Sequence, residues 1–225
     1  MNERKTYNSF QDIPFSSGDS YAPTRSGIGF SKQEIVHILI AIAVLTVAFS
    51  FAFVDYPPYS HLDQVGSVLP FSFIAILTGF FCHEMAHKYV GQRMGFWSEF
   101  RLYPLGLVLA LFAGFLFGVV FAAPGAVEIS GNPDKDEMGK IALAGPLTNV
   151  VLGFAFLNLS FISSDLIGSL FYYLSYISIY LGVFNLIPFG PLDGLKVFRW
   201  NKAVWGLLIG VGILVLLFLL GVVPY

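Results

Sequence analysis

Long apolar stretches alternate with short polar breaks along most of this chain. The runs Ile35–Val54, Val68–Val90, Met138–Phe161, Leu166–Ile187 and Val204–Val222 each reach the ~20 residues that a helix needs to cross ~30 Å of hydrocarbon. They are apolar on every face and too long for buried strands. The breaks carry turn chemistry. Asp55–Ser67 holds two adjacent prolines and no Lys or Arg, Gly131–Glu137 is a Gly-Asn-Pro turn with Asp134 and Asp136 that suits a helix start, and Ser163–Asp165 is a brief polar loop. The pattern predicts an all-α polytopic membrane protein with about five transmembrane helices. Met1–Ser31, rich in Ser, Gly, Pro, Asn and Asp, reads as a flexible tail and carries no secretory h-region.

One run does not declare its form. Leu102–Ala123 is nearly long enough to span, but the charges argue that it enters and returns. All 12 Lys and Arg residues lie in the tail and at its junction (Arg4, Lys5, Arg25, Lys32), around Lys88, Arg93 and Arg101, at Lys135 and Lys140, or at Lys196, Arg199 and Lys202. If this run crossed, the last two groups would fall outside, against the excess of basic residues in cytoplasmic loops. If it returns, every basic residue and the N-terminus are cytoplasmic and Asp55–Ser67 faces out. A β-hairpin is the expected form, with strand-prone Arg101–Tyr103, Val119–Phe121 and Ala126–Ile129 and a turn between Ala113 and Gly118; a helical re-entrant segment is the other. Open strand edges are not tolerated in lipid, so a hairpin here must pack on helices or pair with something else, such as substrate.

Composition agrees with the pattern: 56% of residues are hydrophobic, 12% are charged and the mean hydropathy is +0.74, far from a soluble domain. A net charge of -2 with no basic stripe excludes a nucleic-acid interface. The single cysteine, Cys82, allows no intrachain disulfide. It lies about 100° around the helix from His83 and reads as a small buried hydrophobe.

Against this apolar background the ionisable residues stand out. His83-Glu84-Met85-Ala86-His87 lies in the latter half of the second run. On a helix, positions four apart are about 40° from each other, so His83 and His87 present two ring nitrogens to one metal ion with Glu84 beside them. That is the pattern of a metal-assisted hydrolase whose glutamate carries the proton. Groups so costly in a membrane call for a reason to be there. The fourth run ends in Asn185-Leu-Ile-Pro188-Phe-Gly190-Pro191-Leu-Asp193-Gly194, where prolines and glycines break the helix; unwound backbone at that depth is acceptable only where it lines a cavity. In the returning topology Asp193 comes to the level of His83 and His87. It there completes a three-ligand site with one open position, or else caps a helix at the interface. Asn149 is an amide at membrane depth, suited either to an interhelical hydrogen bond or to a ligand in the cavity. His37, in the first turn of its run, reads as structural.

The ordered set of His83-Glu84-Met85-Ala86-His87, Gly145-Pro146-Leu147-Thr148-Asn149 and Asn185-Leu-Ile-Pro188 with Leu192-Asp193-Gly194 resembles the three signatures of the site-2 protease family of intramembrane zinc metalloproteases. The resemblance implies one Zn2+ per chain held by His83, His87 and Asp193, with Glu84 as general base and then acid, and it covers about 68–196, matching the family's three-helix catalytic core. An unwound substrate segment needs further donors, for which Asn149 and Asn185 are the candidates for substrate binding or transition-state support. Composition and charge place this core within a membrane-embedded domain 32–225, behind a flexible cytoplasmic tail 1–31. The expected partners are a transmembrane protein or peptide substrate and the lipid bilayer. The expected location is a prokaryotic cell membrane. The competing classes are a non-proteolytic metal-binding membrane scaffold, which would be expected to have lost Glu84 or a ligand, and a metal transporter. A transporter needs polar residues along a path through several helices, and the outer halves of these runs carry almost none.

Overall fold

The computed structural model describes residues 28–120 and 124–221; the tail as far as residue 27, Phe121–Ala123 and residues 222–225 lie outside the described residues. Five helical segments are long and apolar enough to cross a membrane: Lys32–Ala52, Leu62–Arg93, Lys135–Ile162, Asp165–Asn185 and Lys202–Leu219. The first is helix α1, begun by Ser31, whose side chain accepts the Glu34 backbone N–H at 3.1 Å. The second starts before the expected Val68, because a short 3-10 turn at Pro58–Ser60 reverses the chain and lets α2 (Leu62–Ile76) begin soon after it. A π turn at Leu77–Phe81 then leads without a break into α3, Cys82–Arg93. Such a turn rotates the residues beyond it relative to a regular helix, and here it sets the face on which His83 and His87 stand.

Between the second and third spans the chain departs from the expected course. Strands β1 (Trp97–Leu102) and β2 (Gly125–Ser130) form an antiparallel pair in which Phe100 lies opposite Val127. A hairpin is therefore present, but its strands lie farther apart in sequence than Arg101–Tyr103 and Val119–Phe121. The expected turn at Ala113–Gly118 is instead the last part of helix α4, Pro104–Phe117, closed by Gly118 in the left-handed conformation (φ 65°). The reason is local: Pro104 starts a helix well, and Leu-, Ala- and Phe-rich sequence satisfies its backbone internally where no water is available. Val119 and Val120 follow without strand structure, and Phe121 falls outside the described residues.

Helix α5 (Lys135–Ile162) opens with a capping box, in which Asp134 accepts the N–H groups of Asp136 and Glu137 while Glu137 accepts that of Asp134. Helix α6 (Asp165–Asn185) returns beside it. Helices α7 (Asp193–Trp200) and α8 (Lys202–Leu219) complete the described chain. Small residues let these helices approach closely. Gly153 of α5 sits against Ile179 of α6 and its carbonyl accepts the Ser175 hydroxyl at 2.8 Å. Gly114 of α4 lies flush with the Ala48 carbonyl of α1.

The outer edge of β1 meets side chains instead of another strand. The Phe100 N–H donates to Glu34 at 2.9 Å, the Ser98 carbonyl accepts from Lys88 at 2.9 Å and Gln92 at 3.1 Å, and the Leu102 N–H reaches His37 Nδ1 at 3.5 Å. His37 is thus structural here, as expected. Since Phe100 points its N–H away from β2, the alternation of an antiparallel pair turns the backbone polar groups of Val127 outward too, on the other side of the hairpin.

Gly114 provides a test of the close α1–α4 contact, because a side chain there meets backbone that cannot move aside. Gly114→Val is expected to destabilise the protein by ~1–3 kcal/mol through overpacking, read as a lower Tm in detergent. Gly210→Ala, at a position with open space around it, is expected to leave Tm unchanged or slightly raised, since it removes a helix-interior glycine. Equal behaviour of the two variants would contradict this packing.

Candidate metal centre

His83 and His87, one turn apart on α3, direct Nε2 atoms to a common point, 3.0 Å from each other. Asp193 comes to the same point from the first residue of α7: its Oδ2 lies 3.3 Å from His83 Nε2 and 2.9 Å from His87 Nε2. These three side chains form the cluster suited to a metal ion among the described residues, and all are at least nearly buried. Cys82 is not part of it.

The donor set fits zinc. A tetrahedral ion with Zn–N and Zn–O bonds of ~2.0–2.1 Å separates its ligand atoms by roughly 3.3 Å, close to the three distances found. Two imidazoles and one carboxylate with a remaining open position are the ligand set of a catalytic site. The tautomer also suits: His87 Nδ1–H donates to the Ile141 carbonyl of α5 at 2.7 Å, which leaves Nε2 with a free lone pair. On the far side of the carboxylate, Asp193 Oδ1 accepts from half-exposed Lys196 at 3.2 Å. One oxygen is thereby committed to Lys196 and the other to the cluster.

Glycines make the convergence possible. A Cβ at Gly145 would overlap Nε2 of both His87 and His83, so α5 brings bare backbone against the ligand atoms. A Cβ at Gly194 would overlap the Leu186 carbonyl, so the start of α7 can lie against the end of α6 and carry Asp193 inward. The broken segment keeps its polar backbone paired there, with Trp205 Nε1 donating to Leu186 O at 2.8 Å.

A cavity of about 350 Å3 opens beside the cluster, and Glu84, Asn149, Asn185 and Lys196 line it together with the three metal-site residues. Glu84 is buried, one carboxylate oxygen has no hydrogen-bond partner, and the Val127 backbone N–H of β2 lies within reach of the group. Asn149 is fully buried and neither of its side-chain polar atoms has a partner. The interhelical hydrogen bond that would explain it structurally is therefore not made. Asn185 instead donates to the Leu181 carbonyl of its own helix at 2.9 Å. The outward edge of β2, from Gly125 to Ile129, forms another wall.

All six residues singled out in the sequence thus meet at one cavity. Three contributors were not singled out individually: Gly145, the Ile141 carbonyl and Lys196. The first precedes Asn149 by four residues and so shares its helical face; the last follows Asp193 by three.

Comparisons with known proteins agree with this site. The chain is 42% identical over 183 residues to MJ0611 of Methanocaldococcus jannaschii, provisionally named a zinc metalloprotease; the match covers 79% of this chain and 90% of the relative. It is 31% identical over 130 residues to the zinc metalloprotease MJ0392 of the same organism, covering 56% of this chain and 33% of that protein. Rip3 of Mycobacterium tuberculosis, also provisionally named a zinc metalloprotease, is 26% identical over 138 residues, covering 57% of this chain and 31% of the relative. No family model matches the chain. No solved structure matches it either.

Metal analysis of the purified protein is expected to give near one zinc per chain and a loss of zinc in Asp193→Ala. Gly145→Ala, which removes no ligand atom, is expected to lose zinc as well, because its Cβ occupies the space of the two Nε2 atoms. Full zinc occupancy in Gly145→Ala would refute the close approach of α5.

Proposed function

This chain belongs to the site-2 protease family of intramembrane zinc metalloproteases, and we propose that it hydrolyses peptide bonds in or near transmembrane helices of membrane-protein substrates, with His83, His87 and Asp193 as metal ligands and Glu84 as the proton carrier. One observation carries this reading: a His-His-Asp cluster, a buried glutamate and an outward strand edge share one cavity within a bundle of membrane-length helices.

Zinc bound there supplies Lewis acidity for the attack of water on a peptide carbonyl. The protein's own residues do the rest. Ionised Glu84 accepts a proton as water adds to the carbonyl carbon, then returns it to the amine nitrogen as the C–N bond breaks, so the glutamate ends as it began. Its partner-free oxygen is available for that exchange. Asn149, with both amide atoms unpaired at the cavity wall, offers donors to the substrate carbonyl as charge grows on its oxygen. Asn185 has one remaining N–H for the same use beside its bond to Leu181.

A transmembrane helix keeps its carbonyls in internal hydrogen bonds, so the substrate must unwind before attack. Pairing the unwound segment to β2 replaces the lost bonds, and the C=O of Val127 and the backbone groups of Ile129, opposite Ser98, lie on the edge that is open for it. The apolar lining of the cavity suits aliphatic substrate side chains.

Arg93, Arg101, Lys135, Lys140, Lys196, Arg199 and Lys202 all lie toward the metal-site end of the chain's spans in this reading. By the excess of basic residues in cytoplasmic loops, that end is cytoplasmic and water reaches the cavity from there. The membrane is the cell membrane of a prokaryote, in keeping with the archaeal and bacterial sources of the relatives. Residues 1–31 form the cytoplasmic tail in front of a membrane-embedded domain spanning 32–225.

Incubation with a panel of single-span peptides in detergent tests the assignment. Glu84→Gln is expected to keep its zinc and to cleave ~10^2–10^4-fold more slowly than wild type. Cleavage by Glu84→Gln at the wild-type rate, with zinc bound, would rule out Glu84 as the proton carrier.

A further inference from the structure

Lys88 follows the ligand His87 directly, yet its side chain turns away from the cavity to the opposite face of the hairpin. There it forms an ion pair with Glu34 at 2.8 Å, and both side chains have 0% solvent exposure. Every polar atom of the pair has a specified use. Glu34 Oε2 takes Lys88, Glu34 Oε1 takes the Phe100 N–H, and Lys88 also donates to the Ser98 carbonyl. The Phe30 ring lies 4.6 Å from the ammonium group. Gln92, one turn farther along α3, donates to Ser98 as well and clasps the Gly29 backbone through both of its amide atoms.

Two charges taken from water rarely repay their desolvation in stability, and apolar residues of similar volume often serve a fold as well or better. What this pair does that apolar residues cannot is hydrogen-bond a strand edge. At Ser98 and Phe100 it stands where a third strand would stand. Together with the fully buried Phe100 ring, which packs edge-on against Phe80 at the turn before α3, it also fixes β1 along its length.

We propose that Glu34 and Lys88 are positioning residues that set which peptide bond of a substrate is cut. They cover β1, leave β2 as the edge at which a substrate strand adds, and lock that edge at a fixed height relative to Glu84 and the His-His-Asp cluster. Lys88 shares a helix with His83, Glu84 and His87, so the strand that receives substrate is referenced to the helix that carries the chemistry. Phe100 passes the position on to Val127, its partner across the hairpin. The inference rests on the reading of β2 as the substrate edge.

The double variant Glu34→Met with Lys88→Met tests it, since two apolar side chains of similar reach preserve volume and leave no charge unpaired. Zinc content is expected to stay near wild type, while mass spectrometry of the products from a single-span peptide shows cleavage spread over neighbouring bonds, with KM raised several-fold more than kcat is lowered. Gln92→Met, which removes one of the two side-chain donors to Ser98 and buries no charge, is expected to broaden cleavage in the same direction to a smaller degree, and serves alone if the double variant does not fold. Cleavage at the single wild-type bond in whichever of these variants folds would overturn the proposal. Ile129→Pro separates this from the underlying reading: it removes an outward N–H of β2 away from Glu84 and is expected to raise KM at least several-fold. Wild-type kinetics in Ile129→Pro would instead overturn β2 as the substrate edge, whatever the other variants do.

Discussion

No polar group can be left unpaired inside a bilayer at small cost, and most of this structure is an answer to that constraint. Helices satisfy their own backbone, and among the described residues all five segments of membrane-spanning length are helical. Where it is not helical, side chains supply the missing partners: Glu34, Lys88, Gln92 and His37 along β1, and Trp205 at the broken end of α6. Ion pairing follows the same logic, since Glu34 and Lys88 are acceptable at 0% exposure only because each meets the other and the backbone besides. The metal cluster is one more case, in which two imidazoles and a carboxylate converge so closely that a divalent cation is their natural partner.

Close convergence demands that backbone approach side chains without an intervening Cβ. Gly145 does this for α5 against the two histidines and Gly194 for α7 against α6. These glycines explain why the second and third motifs take the form they do. Gly145-Pro146-Leu147-Thr148-Asn149 places a bare backbone position and an amide on one face of α5, four residues apart, so one helix surface both makes room for the ligands and lines the cavity beside them. Leu192-Asp193-Gly194 puts the carboxylate at the first residue of α7 and lets the next residue pack flush.

Much of this was legible before any coordinates. Membrane-length runs announce themselves by composition, and a histidine pair four residues apart on a helix announces its shared face. Asp193 was within reach because the distribution of Lys and Arg placed the ends of two helices on the same side. The hairpin was legible only in outline. An unbroken apolar run such as Leu105–Phe117 has no period that separates a helix from a buried strand, and its resolution into α4 depends on Pro104 and on packing at Gly114. Lys88 misled in a different way. A lysine at the end of an apolar span counts as an interfacial charge, and nothing local says that it is buried against Glu34, 54 residues away. Pairings of that kind belong to the tertiary fold.

The two edges of the hairpin then differ for a physical reason. An edge covered by side chains is fixed and specific; an edge facing a cavity remains able to accept a strand. Had both been covered, an unwound substrate would have no backbone to replace its lost hydrogen bonds. Had both been open, the hairpin would have had two places to pair and no fixed height beside Glu84. The asymmetry is built by α1 and α3 reaching the same strand from one side, while α3 meets the other strand at Glu84, next to the Val127 N–H, and at Gly91, against the Ile129 side chain. A single helix, α3, therefore carries both histidines of the metal-suited cluster, the buried Glu84 and one half of the buried ion pair within six residues, His83 to Lys88. Displacing the hairpin along its length would move the open edge away from the chemistry, and the covered edge resists that displacement.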